Sequence, residues 1–161
     1  MEKMRADAFT DLNLKDRDAP LPLGPEGAML LASFLPVMGA LTSLDLRENR
    51  LCGLNEHGNG TYTADGITAI ADALRVNGSL TSLNLAGNQL CGLDFRGNGT
   101  YTAEGITAIS DAMRVNGSLT SLNLSKNLLC GVSIWGGTYN TEGITAIADA
   151  LRVNGGLTKV R

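Results

Sequence analysis

The chain holds one histidine, His57, and three cysteines, Cys52, Cys91 and Cys130, and these are the first places to look for chemistry. A lone imidazole excludes a zinc site built on several histidines and argues against a Ser-His-Asp triad. The cysteines recur every 39 residues, so a fold that stacks its repeats would bring neighbouring thiols close together. Two uses are open to them: a metal or redox column, or compact apolar groups beneath a loop, which is how free cysteine usually behaves. Tyr62, Tyr101 and Tyr139 form a second column, read here as ring packed on ring. Gly58-Asn-Gly60 and Gly97-Asn-Gly99 look faintly like phosphate-cradling turns. They lack the third glycine and a basic residue, and no Gly-Lys pair occurs anywhere in the sequence. Asp72/Arg75, Asp111/Arg114 and Asp149/Arg152 have the i,i+3 spacing of exposed helix pairs, worth about 0.2–0.5 kcal/mol each. The expectation is a chain without catalytic residues, metal or cofactor.

Composition sets the frame for that expectation. At 161 residues, 43% hydrophobic and 18% charged, the chain suits one folded domain over 1–161 rather than a multi-domain enzyme. A net charge of -3 gives no general attraction to nucleic acid or to an anionic membrane, so neither is expected as a partner. The longest apolar stretch, Gly27 to Met38, is too short to span a bilayer. The first residues alternate charge with single apolar side chains and have no hydrophobic leader core. With an odd number of thiols, a reducing, cytoplasmic location is expected, in which the four N-x-S/T sequons at Asn59, Asn77, Asn98 and Asn116 carry no glycan.

Internal repetition is the strongest signal. LTSLDL begins at Leu41 and LTSLNL at Leu80 and Leu119, with LTKV at Leu157, and 29 of 39 aligned positions are identical between 41–79 and 80–118. Each unit opens with L-x-x-L-x-L-x-x-N-x-L, whose alternating leucines predict a short strand with one buried face. It closes with a helical pattern, as in Ile67, Ile70, Ala71 and Leu74, predicted over 64–77, 103–116 and 141–154. Thr63 is the expected N-cap, and Asn77-Gly78 the expected left-handed stop. A Gly-rich segment joins strand to helix.

The strand motif followed by G-I-x-A-I-x-x-A-L resembles a leucine-rich repeat of the ribonuclease-inhibitor type, over about residues 9–161. The same repeat class forms the sensing region of NOD-like receptors and the body of Ran GTPase-activating proteins. The resemblance implies an α/β solenoid of about four repeats, with a parallel sheet on the concave side and helices on the convex side. It also implies that Asn49, Asn88 and Asn127 form a structural asparagine ladder. This unit is longer than the usual one of about 28 residues, and the excess lies in the Gly-rich segment.

The domain reads as a degenerate capping repeat over 1–40, full repeats over 41–79, 80–118 and 119–156, and the start of a further strand over 157–161. In the first unit Arg17 stands at the ladder position, and all four prolines (Pro20, Pro22, Pro25 and Pro36) fall there. The C-terminal edge has no such cap, which raises end-to-end association as an expectation.

The units differ in two zones. Outward strand positions carry Asp45 and Arg47, then Asn84, then Asn123; the loop tips carry Asn55-Glu56-His57, then Asp94-Phe95-Arg96, then Ser133-Ile134-Trp135. One account is drift after duplication, the other a recognition surface, with the tip aromatics as anchors. The expected function is a protein-interaction module of scaffold, sensor or inhibitor type for an unidentified protein. Its candidate contacts are Phe95, Arg96, Ile134 and Trp135, with Asp45, Arg47, Asn84 and Asn123 beside them. A GTPase-activating or other enzyme-regulatory module, and an inert fragment of a longer array, are the alternatives.

Overall fold

Only two leucines alternate in each strand motif, and the strands are correspondingly short. The computed structural model describes residues 9–15 and 22–161. It contains β1 (Asp11–Asn13), β2 (Ser43–Asp45), β3 (Ser82–Asn84) and β4 (Ser121–Asn123). A small hairpin of β5 (Val132–Ser133) and β6 (Gly136–Gly137) follows, and then β7 (Lys159–Val160). The main sheet has the order β1-β2-β3-β4-β7 and is parallel throughout. Its register aligns Leu12, Leu44, Leu83, Leu122 and Val160, so equivalent residues of successive units face each other directly. The crossovers carry α1 (Gly24–Phe34), α2 (Asp65–Val76), α3 (Glu104–Val115) and α4 (Glu142–Val153), with α1 running into a short 3-10 turn at Leu35–Val37. Each of the last three helices is one residue shorter at both ends than its pattern predicts. Arg17 and Pro20 lie outside the described residues.

Every unit contributes the same side chains to one continuous core. Leu44 and Leu46 of one repeat, Leu83 and Leu85 of the next and Leu122 and Leu124 of the third are buried against Ile67, Ile70, Ile106 and Ile109 from the helices. Full burial of such a side chain is worth about 1.5–3 kcal/mol, but it is available only when a neighbouring unit supplies the other wall. The ends show this dependence. Ile144 and Leu151 of α4 are 45% and 38% exposed, whereas their counterparts Ile106 and Met113 are buried. On the outer side of α1, Leu30 and Phe34 are likewise exposed.

Close approach of strand and helix fixes the glycine that opens each helix. A Cβ on Gly105 would lie 2.7 Å from the Leu90 carbonyl oxygen, closer than any side chain tolerates. The same carbonyl accepts a hydrogen bond from the Tyr62 hydroxyl at 3.1 Å. Tyr101 repeats the contact one unit on, donating to the Leu129 carbonyl at 2.9 Å and accepting the Gly143 N–H at 3.1 Å. The tyrosine column thus binds the next repeat's backbone through its hydroxyls, and ring-on-ring packing is not what orders it. Tyr139 is 67% exposed.

Two further expectations are corrected. The N-cap residue is Ala64, not Thr63; the Thr63 hydroxyl instead accepts the N–H of Asp65, the first helical residue, at 3.2 Å. Asn77 does not make a left-handed stop, since its backbone is extended (φ -79°, ψ 120°). Its side chain explains the choice of residue. The Asn77 amide donates to the Leu35 carbonyl of the preceding unit at 2.7 Å, and its oxygen accepts the Leu80 N–H at 2.8 Å. Asn116 does the same between Leu74 and Leu119, and Asn154 between Met113 and Leu157. A second asparagine ladder therefore ties the end of one helix to the start of the next strand. Asn77 and Asn116 are buried, so these two sequons are closed to glycosylation.

The expected ladder is present as well. Asn88 Oδ1 accepts the N–H groups of Asn49 and Leu51 at 3.0 and 3.3 Å, and Asn88 Nδ2 donates to the Leu46 and Leu85 carbonyls at 2.9 and 3.1 Å. Asn127 repeats this pattern against Asn88, Leu90 and Leu85. Replacing Asn88 by alanine would leave three buried backbone groups unpaired, the N–H groups of Asn49 and Leu51 and the Leu46 carbonyl, each costing about 1–3 kcal/mol. We expect N88A and N116A each to lose at least about 3 kcal/mol in a urea melt, and N98A, exposed in a loop, less than about 1 kcal/mol. Equal shifts for N88A and N98A would count against the ladder. Ser110 offers the opposite test: its hydroxyl is buried without a partner where the first full repeat has Ala71. S110A should raise stability by about 1 kcal/mol, and a lower melting midpoint would contradict this reading.

Candidate functional site

The long connections, residues 52–63, 91–102 and 130–140, form a stacked layer of their own along one rim. Each tip is folded by a side-chain oxygen that accepts nearby backbone N–H groups. Asn55 accepts those of His57 and Asn59, both at 2.9 Å, and Asp94 those of Arg96 and Asn98, both at 2.8 Å. Ser133 Oγ accepts the Trp135 N–H at 3.1 Å. The third connection lacks one residue, Gly-Gly replacing Gly-Asn-Gly, and it tightens into the β5–β6 hairpin. Ile134 and Trp135 occupy that hairpin's turn, 93% and 69% exposed.

Adjacent tips touch. The Phe95 N–H donates to the Glu56 carbonyl at 3.2 Å, and Ser133 Oγ donates to the Arg96 carbonyl at 2.6 Å. The Phe95 and His57 rings meet edge to face at a centroid distance of 5.9 Å, and the Arg96 guanidinium lies 5.1 Å from the centre of the Phe95 ring. His57 is also 3.5 Å from Glu56. It is a loop residue among exposed groups.

The tips separate into two columns. Glu56, Phe95 and Ile134 line a groove of about 660 Å³. Arg96 and Trp135 sit beside it without lining it. The opposite wall comes from the turns around the ladder asparagines: Glu48, Gly87 and Lys126, with Gln89 and Leu128 behind them. Those turns are strained. Glu48, Arg50, Gln89, Lys126 and Leu128 all have positive φ, between 49° and 60°, where residues with a side chain are rarely found. The ladder bonds from Asn49, Asn88 and Asn127 hold this backbone in place.

The expected strand contacts lie elsewhere. Asp45, Asn84 and Asn123 stand on the concave face, and each uses its side-chain oxygen to accept the N–H two residues on, at 3.1, 3.2 and 3.0 Å. Arg47 pairs with Asp45 at 2.9 Å. The eight candidate residues therefore fall into a concave row and a rim group. Glu48, Gln89, Lys126, Leu128 and Val132 belong to the groove and were not singled out by sequence, and Glu56 was named there as part of a varying tip but not as a candidate contact. Positions 48, 87 and 126 read Glu, Gly and Lys, a difference between units of the same kind that drew attention to the tips.

The cysteine column is buried at Cys52 and Cys91 and half-buried at Cys130. Burial pushes the Cys52 thiol up to about 12 and the Cys91 thiol up to about 11. Both stay protonated at neutral pH and are poor nucleophiles. Among the described residues, no three His, Cys, Asp or Glu side chains converge as a metal site requires, and no helix is long and apolar enough to cross a membrane.

Residues 79–99, which contain β3 and its ladder turn, match the family model described as Leucine Rich Repeat. The fold is a leucine-rich-repeat solenoid. A solved structure titled "Leiomodin-1 Actin-Binding Site 2 (ABS2)" is similar with a TM-score of 0.64, over 94% of this chain and 69% of that one, at 24% identity. That likeness is one of fold. No curated protein matches the sequence.

Asp94 supplies a test of how the solenoid's loop layer is built. Burial acts to raise its carboxyl pKa, but the hydrogen bonds from Asn98 and Arg96 outweigh this and hold it below the ordinary 3.8. A lowered folded pKa contributes stability that is present above the unfolded value and is lost as pH falls through the folded one. Asn55 folds the first tip without a charge, so D94N should cost about 1 kcal/mol or less at pH 7, and D94A about 2 kcal/mol. The gap between wild type and D94N should close as pH falls below about 3.8. A gap that widens in acid would show that the carboxylate is not what orders the loop.

Proposed function

We propose that the chain is a non-catalytic protein-interaction module, built on leucine-rich repeats of the ribonuclease-inhibitor type, and that it engages its partner at the loop-tip rim. One observation carries this reading. Phe95 and Ile134, from two different repeats, line one groove while remaining 43% and 93% exposed. Exposed bulky side chains that converge from separate units, on a scaffold that holds its loops rigidly, are the usual material of a binding hot spot. The helix in every unit supports the repeat type. The absence of catalysis is supported by what the reactive groups do: the buried thiols are protonated, and His57 rests against Phe95 and Glu56.

Arg96 and Trp135 border the groove and would extend the contact outward. Asp45, Arg47, Asn84 and Asn123 would add polar contacts to a partner large enough to reach the concave face. The leiomodin structure is titled as an actin-binding site, which makes purified actin the first defined partner to assay. The test compares wild type with F95S/I134S, in actin co-sedimentation and in capture from native extract. Both side chains are exposed, so the double variant should melt within about 1 kcal/mol of wild type while losing about tenfold or more in capture. Undiminished capture by the variant would remove the rim from the reading, and a large loss of stability would show that the two side chains are core.

A further inference from the structure

We propose that the rim groove takes an extended peptide segment lying across the repeats, with a lysine or arginine over the first full repeat and a bulky apolar side chain over the third. The inference rests on the rim being a protein-binding surface and names the chemistry of what it binds.

The groove runs along the solenoid axis because each wall receives one position per repeat. One wall is Glu48, Gly87 and Lys126; the other is Glu56, Phe95 and Ile134. Its character changes along that axis. The first repeat lines it with Glu48 and Glu56, the second with Phe95, and the third with Ile134, Leu128 and Val132 beside the Lys126 stem. Arg50 and His57 do not line the groove; both line an adjacent hollow that shares Glu48 and Glu56 with it. The ends of the groove therefore differ, one acidic and one apolar. Strands stack about 4.8 Å apart, so two repeat spacings make about 10 Å, the reach of three extended residues. A cationic residue and a bulky apolar residue three positions apart match both the spacing and the chemistry.

The molecule already places a cation at the acidic end. Lys126 Nζ lies 3.5 Å from Glu48 Oε1, reaching across a whole repeat to do so. Gly87 makes this reach possible: it stands between the two in the stacked column, with φ 67°, and a Cβ there would lie 3.2 Å from Glu48 Cγ. Both partners are solvent-exposed, with side-chain exposures of 73% and 40%, so the pair is weak and easily exchanged. Lys126 thus occupies the position of the ligand's cation and competes with it. A competitor has a distinctive signature, because deleting it strengthens binding.

The test is a titration of the 15N-labelled protein with two synthetic octapeptides, followed by amide chemical shifts. One carries arginine and, three residues on, phenylalanine among serines; the other carries glutamate in place of the arginine. We expect the arginine peptide to shift the amides of Gly87, Gln89, Leu128 and Ile134 with millimolar affinity, as suits a contact of this size. It should bind about fivefold more tightly than the glutamate peptide, and E48Q/E56Q should abolish the difference. K126A should strengthen arginine-peptide binding about threefold, and I134S should weaken both peptides. Equal binding of the two peptides, or weaker arginine-peptide binding by K126A, would overturn the charge assignment and leave the rim standing as an apolar contact. No shifts in the groove with either peptide would overturn the inference altogether; the rim itself is judged separately by the F95S/I134S capture.

Discussion

A carboxamide buried between two repeats is the interaction on which the rest of this structure depends. After each short strand the chain must turn outward, and the turn leaves backbone N–H and C=O groups facing the core with no strand to pair them. An asparagine side chain offers two donors and one acceptor on a short stem, so it can bond the previous unit and its own turn together. Asn88 does both, taking N–H groups from Asn49 and Leu51 and giving its own to Leu46 and Leu85. Each amide therefore satisfies groups that belong to its neighbour. The solenoid is cooperative for this reason as much as for its shared leucine core: removing one unit exposes apolar surface and also strands polar groups of the next.

The same constraint governs the rim. A turn held by a central amide can keep its flanking residues in the left-handed region, and five of the six flanking positions carry side chains there. In isolation such a backbone costs about 1–2 kcal/mol per residue, and the ladder bonds over-determine it. Glu48, Gln89, Lys126 and Leu128 are consequently presented at fixed angles toward the loop tips. The tips are fixed from the other side by Asn55, Asp94 and Ser133 and by bonds between neighbouring loops. A groove made from two turns per repeat is ordinarily mobile; this one has both walls pinned by hydrogen bonds.

Much of this was legible in the sequence, and what was missed has a common cause. The parallel register, the helices and the first asparagine ladder follow from periodicity, because buried side chains must recur where buried positions recur. Asn77 was misread as a helix stop, because Asn-Gly has a strong local meaning as a turn. Its actual partners, Leu35 and Leu80, lie on either side of it in different units. The tyrosines were misread for a related reason. A column of rings suggests stacking, but the hydroxyl of Tyr62 finds the carbonyl of Leu90 before its ring finds another ring. Local pattern identifies the residue, and the contact is set by the neighbouring unit. The division of the tips into a groove-lining column and an outer column was beyond any pattern, since it depends on which way each tip is rolled by its Asx-type turn.

The differences between repeats acquire their meaning from this arrangement. Three nearly identical units stacked in register would give a surface that repeats with the same period and could not fix a ligand at one position along it. The core admits only small changes, such as Ala71 to Ser110 and Leu74 to Met113, because any change at Leu83 or Asn88 is felt by both neighbours. Changes of charge and size are tolerated where a side chain touches solvent, and the rim has two such columns side by side. There Glu48, Gly87 and Lys126 oppose Glu56, Phe95 and Ile134, and the one-residue deletion in the third loop turns its tip into a hairpin that lifts Ile134 clear of the surface. A uniform scaffold thereby acquires distinguishable repeats, acidic toward the first full one and apolar toward the third. A difference between repeats along the axis is what a repeat protein needs in order to bind a partner in one register.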